Sequence, residues 1–371
     1  MNHQYHIIDT TPLLSPSLVI FREIVEQNLA AMIAMAGSVD RLRPHVKTHK
    51  MPEMVRLVES LGITRHKCAT IAEAEMIARN GGKDVLLAYP LVGPNVRRFL
   101  ALVDGYPATT FRATVESEAA AKALSEACLA DSRKKSIHVL VDLDVGMGRT
   151  GIAVEEAEDL YQFVDRLPGL IADGLHAYDG QIRDADRTDR IRSATPGVES
   201  ILRLRDRLLA QGLDVPRLVL GGTPSFPVHA ALQEPNVECS AGTAPLFDLG
   251  YATKFPDLPF TPAALLLTRV ISGPKDRRIT LDLGHKAVAA DPAGDRLRLI
   301  DLPNARLGPQ SEEHLVVETP DAGRFPEGTS LLAIPTHVCP SVALHAWAYV
   351  IVKGELVDRW TVGARDRVIG V

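Results

Sequence analysis

Eight short β-prone runs, separated by stretches of helical length, fill the chain between residues 43 and 242. They lie at 43–47, 66–70, 84–89, 111–115, 137–142, 170–178, 217–222 and 237–242. The intervening segments, among them 71–80, 117–129 and 189–211, are rich in Ala, Leu and Glu with helical spacing. Ahead of them, residues 21–36 place Ile24, Val25, Leu29, Met32, Ile33 and Ala36 on one helical face. Strands joined through helices pair in parallel, because a parallel connection must cross over the sheet. Eight such units predict an α/β fold, a (β/α)8 TIM-like barrel, with a doubly wound open sheet as the rival that strand counting leaves open.

Beyond residue 250 the rhythm changes. Runs at 263–272, 278–283, 296–301, 314–319, 330–337, 347–353 and 355–362 are short, strand-like and separated by Gly, Pro, Asp and Asn. The organisation expected is an extended segment over 1–20 packing with the β domain, a barrel over 21–250, and a mostly β domain over 251–371. The proline-containing stretch 251–262 is the expected linker. Hydrophobic residues make up 46% and charged residues 23% of the 371, as in a folded soluble protein. With 41 Lys and Arg against 46 Asp and Glu, the net charge of -5 gives no attraction to nucleic acid or an anionic membrane. No apolar run is long enough to span a bilayer, and the first residues lack the pattern of a secretion signal. Cys68, Cys128, Cys239 and Cys339 lie far apart without a C-x-x-C pair, which suits thiols in the cytoplasm better than a disulfide framework.

Active sites of such barrels lie at the C-terminal ends of the strands. The first run ends in His45-Val46-Lys47-Thr48-His49-Lys50, the fifth leads into Asp144-Val145-Gly146-Met147-Gly148-Arg149-Thr150-Gly151, and the sixth ends in His176-Ala177-Tyr178-Asp179-Gly180-Gln181. The seventh and eighth end in Gly221-Gly222-Thr223-Pro224-Ser225 and Ser240-Ala241-Gly242-Thr243. Glycine lets backbone N–H groups approach a phosphate, and the last two loops form the recurrent phosphate site of this fold. A lysine across the mouth from a bound phosphate ester is what a pyridoxal phosphate Schiff base requires. Taken singly, Gly-Gly-Thr-Pro is foremost a turn and a rim lysine is foremost solvated. Their shared placement at strand ends points to a phosphate-bearing cofactor.

Pro44-His45-Val46-Lys47-Thr48-His49-Lys50, followed by Cys68-Ala69-Thr70 and Glu73-Ala74-Glu75, resembles the D-threonine aldolase and D-serine dehydratase family, within the alanine-racemase-like, fold type III pyridoxal phosphate enzymes. The motif from Asp144 to Gly151 resembles the same family, and the likeness runs from Asp9-Thr10-Thr11-Pro12 to the C-terminal strands. The resemblance implies that Lys47 carries the cofactor, that Arg149 faces its phenolic oxygen and that Tyr178 lines it. It also implies that Gly222, Thr223, Gly242 and Thr243 hold the phosphate, and that the protein is a homodimer.

His337 and Cys339 lie two apart in Pro335-Thr336-His337-Val338-Cys339-Pro340. On a strand, residues so spaced share a face and can share a ligand, although most such pairs are a packed thiol beside an unrelated imidazole. Imidazole and thiolate suit Zn²⁺, whereas Mn²⁺ or Mg²⁺ would prefer oxygen. The resemblance implies a divalent metal here. The expected activity is a lyase acting on small D-β-hydroxy-α-amino acids, of the D-threonine aldolase type. The alternative is a D-serine or D-threo-3-hydroxyaspartate dehydratase, with an amino-acid racemase or a non-catalytic cofactor carrier behind both. Cys339 leans toward the dehydratases, which carry cysteine where aldolases tend to carry an acid. Gln181 and Ala244 stand where aldolases often have histidine and tyrosine.

Overall fold

The computed structural model describes residues 4–130 and 136–371. Two compact units cross chain order: one gathers residues 32–47, 54–242 and 366–371, the other residues 1–31, 48–53 and 243–365. The contiguous spans 21–250 and 251–371 differ from this division. The first strand, β1 (Ser17–Phe21), and the start of helix α1 (Arg22–Ala36) group with the C-terminal strands, and so does the stretch after residue 242.

In the first unit the strands are β2 (Arg65–Cys68), β3 (Asp84–Leu87), β4 (Thr110–Val115), β5 (Ile137–Asp144), the two-residue β6 (Ile152–Ala153), β7 (Leu170–Ala177), β8 (Leu218–Leu220) and β9 (Val237–Cys239). Seven pair in parallel in the order β2-β3-β4-β5-β7-β8-β9, and β6 lies beside β5. Helices α2 (Pro52–Ser60), α3 (Ile71–Arg79), α4 (Pro94–Gly105), α5 (Glu118–Ala130), α6 (Ala157–Arg166), α7 (Arg187–Ala210) and α8 (Phe226–Ala230) alternate with the strands. Local chemistry sets their ends. Thr70 caps α3 by accepting from the Glu73 N–H, while the Glu73 carboxylate accepts from the Ala69 N–H at 2.7 Å. This is the parallel, TIM-like arrangement of strands and helices expected from the alternating runs.

The predicted strand at 43–47 is a correction. Pro44 cannot donate to a ladder, and the segment makes single bridges instead, Leu42 to Cys239 and His45 to Lys67. The Arg43 N–H donates to the Cys239 carbonyl and the Lys67 N–H to the Pro44 carbonyl, both at 2.9 Å. Residues 42–45 thereby join the two edge strands, β9 and β2. The chain then enters the 3-10 turn Val46–Thr48, with Lys47 at its centre.

Strand register decides what fills the barrel. Lys67, Leu86 and Arg112 are partners across β2, β3 and β4, and Asp142, His176 and Val219 across β5, β7 and β8. Leu86, Leu140 and Val219 pack as a fully buried cluster. Nearer the strand starts, six charged side chains form a closed ring. Arg43 bonds Glu238 at 2.5 Å and Asp84 at 2.6 Å, and Arg112 bonds Asp84 at 2.5 Å and Asp173 at 2.6 Å. Arg217 closes the cycle between Asp173 and Glu238.

The second unit is a mostly antiparallel sheet. After α9 (Leu249–Lys254) come β10 (Ala264–Lys275), β11 (Arg278–Leu281), β12 (Leu297–Leu299), β13 (Arg306–Gln310), β14 (Leu315–Glu318), β15 (Ser330–Pro335), helix α10 (Val338–Leu344), β16 (Trp347–Val352) and β17 (Glu355–Thr361). The order is β13-β14-β11-β10-β1-β16-β17, with β15 on β10 and β12 on β15. β1 is central, antiparallel to β10 and parallel to β16. Two expectations are corrected here. α9 occupies part of the stretch read as linker, and the run read as a strand to His337 stops at Pro335. Among the described residues no helix is long and apolar enough to cross a membrane.

Candidate active site

The first unit gathers three cations around one aromatic ring. Lys47 Nζ lies 5.4 Å, Lys67 Nζ 5.9 Å and the Arg149 guanidinium 4.9 Å from the centroid of Tyr178, each within cation–π range. Separate elements deliver them: the 3-10 turn, β2, the loop after β5 and the end of β7. The His45 ring supports the turn by accepting from the Lys47 N–H at 3.3 Å.

The Arg149 loop is built by Asp144. Its carboxylate accepts from the N–H groups of Gly146 at 2.9 Å and Gly148 at 3.1 Å. These backbone bonds, Gly148 first, hold the carboxyl below its ordinary pKa. Gln181 donates to the Val145 carbonyl at 2.7 Å and so props the same loop. The acid and glycines of the motif are explained by this loop, and Arg149 is left to face the ring.

Gly221, Gly222 and Thr223 are buried after β8. Gly221 has φ +75, and a Cβ there would enter the His229 ring; a Cβ on Gly222 would stand 3.0 Å from Tyr178 Cε2. Asp179 organises this turn. It accepts from Ser225 Oγ at 2.7 Å and from His229 Nε2 at 2.8 Å, while Ser225 Oγ accepts from the Gly222 N–H at 3.2 Å. Burial opposes the ionised form of Asp179, but the His229 and Ser225 bonds outweigh it and keep the pKa below the ordinary value. On the eighth strand end, a Cβ on Gly242 would come 2.8 Å from His45 Cβ.

Beneath the ring runs a polar chain that sequence reading did not single out. Lys67 Nζ lies 3.5 Å from His176 Nε2, and His176 Nδ1 lies 2.6 Å from Asp142. Burial, the largest effect, lowers the pKa of His176 despite Asp142. A neutral ring donates its Nδ1–H to the Asp142 carboxylate and offers Nε2 as acceptor to Lys67. Lys67 shares a register with Leu86 and so points where Leu86 points, a placement set by strand pairing and not by the local sequence pattern.

His337 and Cys339 belong to the second unit and do come together, though not as strand neighbours. His337 is the N-cap residue of α10 and Cys339 lies in its first turn. The Cys339 contact, then Asp291, raises the His337 pKa to about 9, with burial opposing. Asp291 Oδ2 lies 2.5 Å from His337 Nδ1. Thr48 Oγ1 is 3.2 Å and Thr243 Oγ1 3.7 Å from Cys339 Sγ, so Thr243 groups with this pair. Asp248 fixes the turn by accepting from the Val338 N–H at 3.1 Å and the Tyr251 N–H at 2.8 Å. Neither Asp248 nor Asp291 was singled out from the sequence, since each lies far from His337 in the chain. Among the described residues no cluster of three His, Cys, Asp or Glu forms a metal cage. One imidazole and one thiol supply two candidate metal ligands, with Asp291 on Nδ1 of the imidazole.

A half-buried lysine among cations, beside buried glycine turns with the Cβ space closed, fits a phosphate-bearing aldehyde cofactor. Comparison with known proteins agrees. Residues 21–241 match the model of the alanine racemase N-terminal domain and residues 263–351 that of the putative serine dehydratase domain. A D-threonine aldolase of Arthrobacter sp is 31% identical over 95% of this chain and 92% of its own. A D-threo-3-hydroxyaspartate dehydratase of Delftia sp. is 26% identical over 93% and 96%. The crystal structure of D-threonine aldolase from Filomicrobium marinum, 27% identical, superposes with a TM-score of 0.87 over 95% of this chain and 96% of that one. The fold and site define an alanine-racemase-like barrel with a serine-dehydratase-type β unit. The chain belongs to the D-threonine aldolase and D-serine dehydratase family of fold type III pyridoxal phosphate enzymes.

Proposed function

We propose that the chain is a pyridoxal phosphate- and divalent-metal-dependent lyase that cleaves D-β-hydroxy-α-amino acids to glycine and an aldehyde, as a D-threonine aldolase does. The observation that carries the proposal is the convergence of Lys47 and Arg149 on Tyr178. When bound, pyridoxal phosphate supplies an electron sink and the metal a Lewis acid. Lys47 Nζ is the attachment point and, when released, a base able to hold a proton. Arg149 favours an ionised oxygen on the cofactor by charge-assisted hydrogen bonding. Tyr178 walls the ring, and Gly222, Thr223, Gly242 and Thr243 serve the phosphate. His337 and Cys339 are the metal ligands, with Zn²⁺ the best match to nitrogen and sulfur and Mn²⁺ or Mg²⁺ less so.

The proposal includes a cytoplasmic homodimer. None of the four cysteines is in a disulfide, which supports a reducing compartment. A second reading, a dehydratase giving an oxo acid and ammonia, is favoured by Cys339 and by the Delftia relative. The test supplies D-threonine and its D-allo epimer with pyridoxal phosphate and Zn²⁺, before and after chelation. Glycine and acetaldehyde, lost on chelation, support the aldolase. 2-Oxobutanoate and ammonia support the dehydratase. Neither product from cofactor-loaded protein counts against both and revives a racemase or a carrier.

A further inference from the structure

Lys67 lies on a barrel strand, is 2% exposed, and is assigned no part in the chemistry above. Charged and polar groups face it from several elements. From residues 42–47 it is faced by Lys47 and Arg43, from β5 by Asp142, and from β7 and its end by His176, Tyr178 and Asp179. Arg149 acts on the same His176. The neighbouring position on β3 is apolar Leu86.

The two carboxylates are already engaged, Asp142 by His176 and Asp179 by His229 and Ser225. Lys67 is thus a buried amine close to two other cationic side chains around Tyr178, with both nearby carboxylates hydrogen-bonded to other groups. A cluster of cationic groups around one ring favours an anionic guest. A buried amine touching a neutral imidazole is also the group in this cluster that can most readily stand without its proton.

We infer that the site takes up its anionic, phosphate-bearing guest together with one proton from solvent, and that the proton is bound by the lone pair of Lys67 Nζ. The inference rests on the cofactor reading above and deepens it. In the guest-free protein, burial first and Lys47 second bring the Lys67 pKa down to about 7, with Asp142 and Asp179 opposing. Above neutral pH the amine is thus mostly neutral until an anion arrives. The anion's field favours the ammonium, and by linkage the ammonium favours the anion. His176 holds the amine in either state, since Nε2 accepts an N–H from both forms.

The test titrates the full-length apoprotein at pH 8 with 4-deoxypyridoxine 5′-phosphate, a probe that has the ring and phosphate but no aldehyde to react with Lys47. Calorimetry in buffers of different ionisation enthalpy gives the number of protons taken up on binding. Native protein is compared with Lys67→Met and with Lys67→Arg, which keeps a charge but does not titrate. The probe's own ionisations are common to all three, so the differences report Lys67. The expected result is that native protein takes up close to one proton more than either variant. Its affinity should fall by about tenfold per pH unit above neutrality relative to Lys67→Arg. Lys67→Arg should bind with a flat relative pH profile, which keeps the test decisive if Lys67→Met folds poorly. Equal proton uptake in all three proteins would overturn the role of Lys67 while leaving the cofactor reading intact. Failure of native protein to bind the probe would overturn both.

Discussion

The barrel treats charge in opposite ways at its two ends. Near the strand starts, Arg43, Asp84, Arg112, Asp173, Arg217 and Glu238 alternate in sign around a closed ring, and each has an opposite neighbour on both sides. Near the strand ends, Lys47, Lys67 and Arg149 gather on one tyrosine while the nearby carboxylates are bound elsewhere. The pKa values follow the difference. In the ring, burial would raise the Asp84 and Asp173 pKa, but the surrounding Arg and His groups pull both below the ordinary range. At the mouth, burial dominates and Lys67 falls to about 7. Paired buried charge holds a structure in one arrangement; a buried amine crowded by other cations, as Lys67 is, costs stability and marks a candidate place for a ligand.

Four variants probe this contrast, in decreasing order of effect. Lys47→Ala should lower turnover by about 10⁴-fold, at the upper end of what a positioned acid–base group contributes, without lowering thermal stability. In the ring, Arg112→Met leaves Asp84 and Asp173 short of a partner and should cost about 3–5 kcal/mol, read as a lower urea midpoint. A wild-type midpoint would show that the ring is ornamental. Lys67→Met should act in the reverse direction and stabilise the protein at pH 7 by about 1–4 kcal/mol. The sign follows from linkage: Lys67 has a folded pKa below its unfolded one, so native stability rises with pH between about 7 and about 10. The advantage of Lys67→Met must therefore shrink as pH rises through that window, and a constant advantage would contradict the cause given. Asp144→Ala, which frees the Gly146 and Gly148 N–H groups, should lower kcat/KM by about tenfold through a looser Arg149, at a stability cost of about 1 kcal/mol.

The barrel was legible in the chain because β-prone runs and helical stretches alternate at the spacing parallel pairing demands. Residues 43–47 read as a strand since their composition is β-prone, yet Pro44 restricts them to isolated bridges. Thr48 was read as part of the Lys47 motif, but its hydroxyl packs on Cys339, a contact across most of the chain. Lys47, Arg149, Tyr178 and Gly222 do converge, because strand ends of a barrel share a rim whatever their separation in sequence. Lys67 with His176 and Asp142, and His337 with Asp291, were not legible. They are pairings between strands or loops, set by register and by turns that local pattern does not encode. The ring did leave a trace: Asp84, Arg112, Asp173 and Glu238 are charged residues placed within otherwise apolar strands.

The most direct measurement is borohydride reduction of protein loaded with pyridoxal phosphate, followed by peptide mass mapping. The account predicts the reduced pyridoxyl group on Lys47 and its absence from Lys47→Ala. A group fixed on Lys67 instead, or no stable adduct on any lysine, would contradict it.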